Sequence, residues 1–218
     1  MPRQQVGQES RITIERAAHA LEGVLARPAA TPRGGAVVCH PHPQFGGSMD
    51  NAVVVAVSRA LVACGFVVLR FNFAGVGGSH GTYSGGPGEV EDARAATEAL
   101  SAHVPSGVPI NLVGYSYGAW VALQAGPQEP RVGRIVAIAP PLSLFGWHTL
   151  GTISQPVSII AAEHDQFCPA DELARLIGKH GKAMSVHATI AGADHFFWGF
   201  EDEVGTACAS ASTERSAV

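Results

Sequence analysis

A chain of 218 residues, 46% hydrophobic and 15% charged, is too apolar to be disordered. It is long enough to bury about 70% of the surface its unfolded form exposes. A formal net charge of −4 with no basic run leaves no electrostatic footprint for nucleic acid, and no apolar run approaches the length of a membrane span or a signal peptide, so a soluble cytoplasmic protein is expected.

In chain order, RITIE and LEGVLAR read as an antiparallel pair of strands. Runs rich in Val and Ile then alternate with alanine-rich stretches, the pattern of βαβ units around a mostly parallel sheet. Strands are expected near 35–40 (GAVVCH), 66–73 (FVVLRFNF), 110–115 (INLVGY), 134–139 (RIVAIA), 157–162 (VSIIAA) and 185–190 (SVHATI). Helices are expected over 51–64, 89–103, 117–125 and 170–180. The first has Ser48 or Asp50 as its N-cap and Gly65 to end it in the left-handed region. Glu89, Glu91 and Asp92 fall in the first turn of the second, where their charges complement the helix dipole. No linker or internal repeat divides the chain, so residues 1–218 read as one α/β domain with a small, polar tail that frays from about 208 to 218. The cysteines Cys39, Cys64, Cys168 and Cys208 show no CxxC spacing and read as free thiols.

Two stretches have the form GxSxG. GYSYG, residues 114–118, follows a strand directly and opens a helix, the arrangement that a nucleophile elbow requires. Its glycines have a physical task, because a strand turning sharply into a helix brings backbones too close for side chains. GGSHG, residues 77–81, lies several residues beyond its strand with no helix after it, so Ser79 reads as structural. The same loop fails the dinucleotide fingerprint, since His80 stands where the last glycine is needed.

A serine hydroxyl is a weak nucleophile unless a base lies within hydrogen-bond reach, itself oriented by a third group. EHDQFCP places Asp165 in the turn after one strand, and GADHFF places His195 just after the next. Ser116, Asp165 and His195 would thus meet on one rim of the sheet, in the chain order Ser, Asp, His. Glu163 and Asp171 are weaker candidates for the acid, and His164, His180 and His187 for the base. Backbone donors for an oxyanion are expected from Tyr117, next to Ser116, and from the loop HPHPQFGG. Pro41 and Pro43 have no N–H there, leaving His42, Gln44 and Phe45, of which His42 is preferred by position. Two histidines in HPH, His40 and His42, are too few to define a zinc site, and no metal is expected.

These residues resemble the α/β-hydrolase superfamily, and most closely its small, capless bacterial serine esterases. The resemblance rests on CHPHPQFGGSMDN, RFNFAGVGGSHG, GYSYG, EHDQFCP and GADHFF, which follow the family's order along most of the chain. It implies an α/β-hydrolase fold with helices on both faces of the sheet. It also implies Ser116 as nucleophile, Asp165 as acid, His195 as base and the Tyr117 N–H as an oxyanion donor. Ala162 departs from the pattern, standing where relatives often carry glycine before the acid turn. Only PPLSLFGWHTLGTISQP separates the strands between which many relatives insert a lid, too little for a lid domain. Phe145, Trp147 and Leu150 in that segment are candidates for the mouth of the site or for the core. The expected activity is hydrolysis of small acyl esters through an acyl-enzyme, with thioesters, peptides or amides as alternatives and a non-catalytic binding module as the remote one. Activity should fall in acid, where a protonated base cannot accept. No cofactor is expected. The expected partner is a small-molecule acyl ester, with a homodimer as the assembly allowed.

Overall fold

The computed structural model describes residues 8–17, 19–147 and 153–214. Eight strands form one sheet: β1 (Gln8–Glu15), β2 (Ala20–Arg27), β3 (Gly34–Cys39), β4 (Phe66–Phe71), β5 (Ile110–Tyr115), β6 (Val132–Ile138), β7 (Val157–Ala162) and β8 (Met184–Ile190). Their spatial order is β1-β2-β4-β3-β5-β6-β7-β8. β1 pairs antiparallel with β2, and β2 antiparallel with β4, while every later pairing is parallel.

Parallel strands joined by helices are covered on both faces, which is why β3, β4, β5 and β7 are buried along their whole length. Successive side chains of a strand point to opposite faces, so each strand feeds two cores. In β3, Val37 and Cys39 join the core under α2 (Pro87–Ser101), α3 (Tyr117–Ala125) and α4 (Ala170–His180). Ala36 and Val38 join the core under α1 (Ala52–Ala63) and α5 (Glu201–Thr213). This is the α/β-hydrolase fold, and the described residues between β6 and β7 form turns rather than an inserted lid. No described helix is long and apolar enough to cross a membrane.

Three local expectations need correction. The N-cap of α1 is Asn51, whose Oδ1 accepts from the Val53 N–H at 3.0 Å. Ser48 instead caps the turn before it, accepting from Asp50 N–H, and Asp50 is drawn off by Arg70 at 2.5 Å. Because α2 begins at Pro87, only Glu89 falls in its first turn; Glu89 and Asp92 are fully buried and bonded to tertiary partners, while exposed Glu91 pairs with Arg94. The stretch 208–213 does not fray: it completes α5, with Cys208 and Ala211 fully buried. Residues 215–218 lie outside the described residues. By contrast, Gly65 ends α1 at φ 89°, as expected.

Candidate active site

The site is assembled at the C-terminal ends of the central strands. Between β5 and α3 the chain turns so sharply that Ser116 adopts φ 54° and ψ −118°, a region that costs a non-glycine residue about 1–3 kcal/mol. The surroundings hold it there. Its N–H donates to the Ile138 carbonyl at 2.8 Å, and a Cβ on Gly114 would lie 2.0 Å from the Gly118 carbonyl oxygen. A Cβ on Gly118 would lie 2.3 Å from the Cys39 oxygen, which shows how closely α3 approaches β3.

Ser116 Oγ lies 2.8 Å from His195 Nε2. On the other side of the ring, Nδ1 stands 2.9 Å from both Asp165 oxygens. Asp165 follows β7 and His195 follows β8, so two neighbouring strand ends deliver the carboxylate and the imidazole to the same rim. The carboxylate is held in turn: its Oδ1 accepts from the Phe167 N–H at 2.8 Å and the Cys168 N–H at 3.0 Å. These two backbone donors fix the carboxylate, which orients the imidazole with its proton on Nδ1 and its lone pair on Nε2.

Sequence reasoning missed a support beneath the histidine. Tyr115 donates its hydroxyl to the His195 carbonyl at 2.9 Å. Burial pushes this phenol up, with Asp165 adding to the effect, so it remains a donor. Its adjacency to Ser116 was visible in the sequence; the partner 80 residues away was not.

Of the rival residues, His180 ends α4 and the others are engaged elsewhere. Glu163 accepts from the Gly192 N–H and stands near His164, Asp171 pairs with Arg175, and His187 pairs with Glu214. Ser79 is buried, its hydroxyl donating to the Asn72 carbonyl at 2.6 Å and accepting from the Glu22 N–H at 2.9 Å. It bridges β2 to the loop after β4 and faces no other reactive group.

Among the candidate donors after β3, the Phe45 N–H is turned back on the His42 carbonyl, and the Gln44 N–H on His42 Nδ1. The His42 N–H carries no such bond among the described residues. Tyr117 is the first residue of α3, so its N–H is one of the first-turn amides without an intrahelical acceptor. The two histidines of HPH do not converge. His40 is fully buried, with Nδ1 bonded to the Pro41 carbonyl at 2.6 Å and Nε2 accepting from the Phe73 N–H at 3.1 Å. Burial pulls its pKa down to about 4. No group of three or more metal-ligating side chains occurs among the described residues.

A cavity of about 650 Å³ opens over Ser116. Its walls are mainly apolar, with Phe45, Leu144, Phe145, Phe167 and Phe196 around the serine and histidine. Phe45 is 85% exposed and Leu144 59%, so they form a rim that no strand or helix pattern marks in the sequence. Of the mouth candidates, Phe145 lines this cavity, Trp147 lines a separate groove against α4, and Leu150 lies outside the described residues.

Known proteins share this architecture. The chain superposes on an α/β serine hydrolase homologue from Coxiella burnetii with a TM-score of 0.84 at 30% identity, covering 92% of this chain and 96% of that one. A lidless α/β serine hydrolase from Xanthomonas campestris gives a TM-score of 0.84 at 28% identity, over 94% and 93%. An uncharacterised protein of Rickettsia prowazekii (strain Madrid E) is 37% identical over 169 residues, 74% of this chain and 71% of the relative. The family model described as X-Pro dipeptidyl-peptidase (S15 family) matches residues 11–174, a span that includes Ser116 and Asp165 and stops short of His195. The chain is therefore a serine hydrolase-like protein of the α/β-hydrolase superfamily and belongs to the S15 family.

Proposed function

We propose that the protein hydrolyses small carboxylic esters through a Ser116, His195 and Asp165 triad. The observation that carries this reading is the unbroken line of hydrogen bonds from Ser116 Oγ through His195 to Asp165, at 2.8 and 2.9 Å. In the first step Ser116 Oγ attacks the ester carbonyl carbon as its proton passes to His195 Nε2. Asp165 keeps the other proton on Nδ1 and stabilises the imidazolium. The carbonyl oxygen becomes negative between the N–H groups of Tyr117 and His42. His195 then protonates the departing alkoxide, and water, deprotonated by the same nitrogen, releases the acid from the acyl-enzyme.

A second reading comes from the family description, a peptidase that removes dipeptides from a chain's amino end. Such a substrate carries an ammonium one residue before the reacting carbonyl, and binding it away from water calls for a carboxylate. The described residues lining the cavity include no Asp or Glu, and aromatic rings predominate. This favours an uncharged acyl group.

Labelling with a fluorophosphonate tests the triad: wild type is expected to label, and Ser116→Ala to lose all label while Ser79→Ala retains it. Failure of wild type to label would overturn the proposal. A panel of p-nitrophenyl acetate, butyrate and laurate beside a Gly-Pro-p-nitroanilide then separates the readings. The short esters are expected to be the best substrates, and turnover of the anilide in preference to them would install the peptidase reading.

A further inference from the structure

Outside the triad, one buried side-chain network has no part in the proton transfers, yet it ends on both candidate oxyanion donors. Glu89 is fully buried at the start of α2, and its carboxylate accepts from the Ser84 N–H and hydroxyl, the Gly86 N–H and the Tyr117 hydroxyl, at 2.7 to 3.0 Å. Burial alone would raise this carboxyl; the hydrogen bonds outweigh it and hold it below the usual carboxylate range. The Tyr83 ring packs beside that of Tyr117, with centroids 6.0 Å apart. Tyr83 in turn lies 3.1 Å from His42 Nε2, and His42 Nδ1 faces the Gln44 N–H at 3.2 Å.

The polarity of this chain is determined from its ends. A carboxylate only accepts, so Tyr117 must donate to Glu89. At the other end the Gln44 N–H donates to His42 Nδ1, so that nitrogen is bare and the imidazole carries its proton on Nε2, which donates to the Tyr83 oxygen. The rings also pack together: His42 lies 4.8 Å from Tyr117 and 5.1 Å from Tyr83 between centroids.

We propose that Tyr83 is a positioning residue of the oxyanion hole, its hydroxyl accepting from the His42 imidazole and its ring packing on the Tyr117 phenol, so setting the separation of their two backbone amides, with Glu89 as the fixed end. The loop after β3 and the start of α3 share no sheet register at that point. Backbone contact at Gly118 sets α3 against Cys39 and His40, and the side chains add the tie that reaches His42. Burial disfavours a second proton on His42, consistent with a neutral ring that can accept at Nδ1. The proposal rests on the ester-hydrolase reading above and adds the residue that tunes it.

The test uses the whole protein and p-nitrophenyl acetate. Complete loss of one oxyanion donor costs about 10²–10³ in kcat, so a donor displaced but still present should cost less, about tenfold, in Tyr83→Phe. KM should stay within about twofold, because the ground-state carbonyl needs the hole less than the oxyanion does. His42→Ala keeps the backbone N–H and should lose a similar factor, and the double variant Tyr83→Phe/His42→Ala should be no slower than His42→Ala. Nitrogen NMR of the wild type should show His42 protonated at Nε2 and bare at Nδ1, a signature that Tyr83→Phe weakens. Wild-type kcat in a folded Tyr83→Phe, multiplicative losses in the double variant, or an Nδ1-protonated His42 would each overturn the proposal. A wild type that neither labels nor turns over ester would instead overturn the functional reading, and the oxyanion role with it. The two failures are thus told apart.

Discussion

His40 makes acid stability a direct probe of the loop that carries His42. Both ring nitrogens are committed, Nδ1 to the Pro41 carbonyl and Nε2 to the Phe73 N–H, and the ring is fully buried at the end of β3. A second proton has to go on Nε2, where it evicts the Phe73 donor and places a charge in the core. Burial therefore lowers the pKa from 6.5 to about 4, with the nearby His42 adding to the effect and the Pro41 bond opposing it. As pH falls, the unfolded chain takes up this proton first, so stability is lost between about 6.5 and about 4 and is unaffected above that window. At about 1.4 kcal/mol per pH unit, the loss approaches about 3 kcal/mol over the whole interval and about 2 kcal/mol by pH 5. Urea unfolding at pH 8, 7, 6 and 5 measures the slope. His42, His103 and His180 are also pulled down by burial and steepen it, so an NMR titration of the His40 ring isolates its share. A His40 resonance that titrates in the folded protein with a midpoint above pH 6, or an unfolding midpoint that does not move between pH 7 and 5, would refute the reasoning.

Three further outcomes are expected. Asp165→Asn keeps an oxygen to accept from the Phe167 and Cys168 amides but removes the charge beside His195 Nδ1, so kcat should fall about 10³–10⁴-fold with little change in melting temperature; a loss under tenfold sinks the assigned role. Gly118→Ala drives a methyl against the Cys39 carbonyl, which belongs to backbone and cannot rotate away, so calorimetry should record a loss of about 3 kcal/mol together with lost esterase activity. Ser79→Ala strands the Glu22 N–H and the Asn72 carbonyl, at a cost of about 1–3 kcal/mol in urea unfolding, with kcat within about twofold of wild type. A collapse of activity in stably folded Ser79→Ala would mean that the wrong serine motif had been demoted.

The parallel strands were legible because burial on both faces writes them as short runs of Val and Ile, each bounded by glycine or polar turns. Helix α5 was missed for a physical reason. Its sequence EDEVGTACASAST has few large apolar residues, and it packs by closeness instead: a Cβ on Gly205 would lie 2.9 Å from the Ala56 carbonyl of α1. Small residues that permit close approach of two helices look, in one dimension, like a polar tail. The N-cap at Asn51 was misplaced because three candidate caps, Ser48, Asp50 and Asn51, crowd the same turn, and tertiary pairing with Arg70 removes Asp50 from the competition. Glu89 was read by its position in a helix, and only its four hydrogen bonds, from Ser84, Gly86 and Tyr117, reveal the buried anchor.

By itself, the sequence determined the fold class and the order Ser116, Asp165, His195, since both follow from local periodicity and from residues placed just after strand ends. The tertiary structure decided what depends on direction and exclusion. It brought Nε2 of His195 to Ser116, engaged Ser79 in a structural bridge, and spent the Gln44 and Phe45 amides inside their own turn, leaving that of His42. A hydrogen bond is short and directional, so its partner is known only when the chain has closed, and the contacts that lead from His42 through Tyr83 and Tyr117 to Glu89 could be read nowhere else.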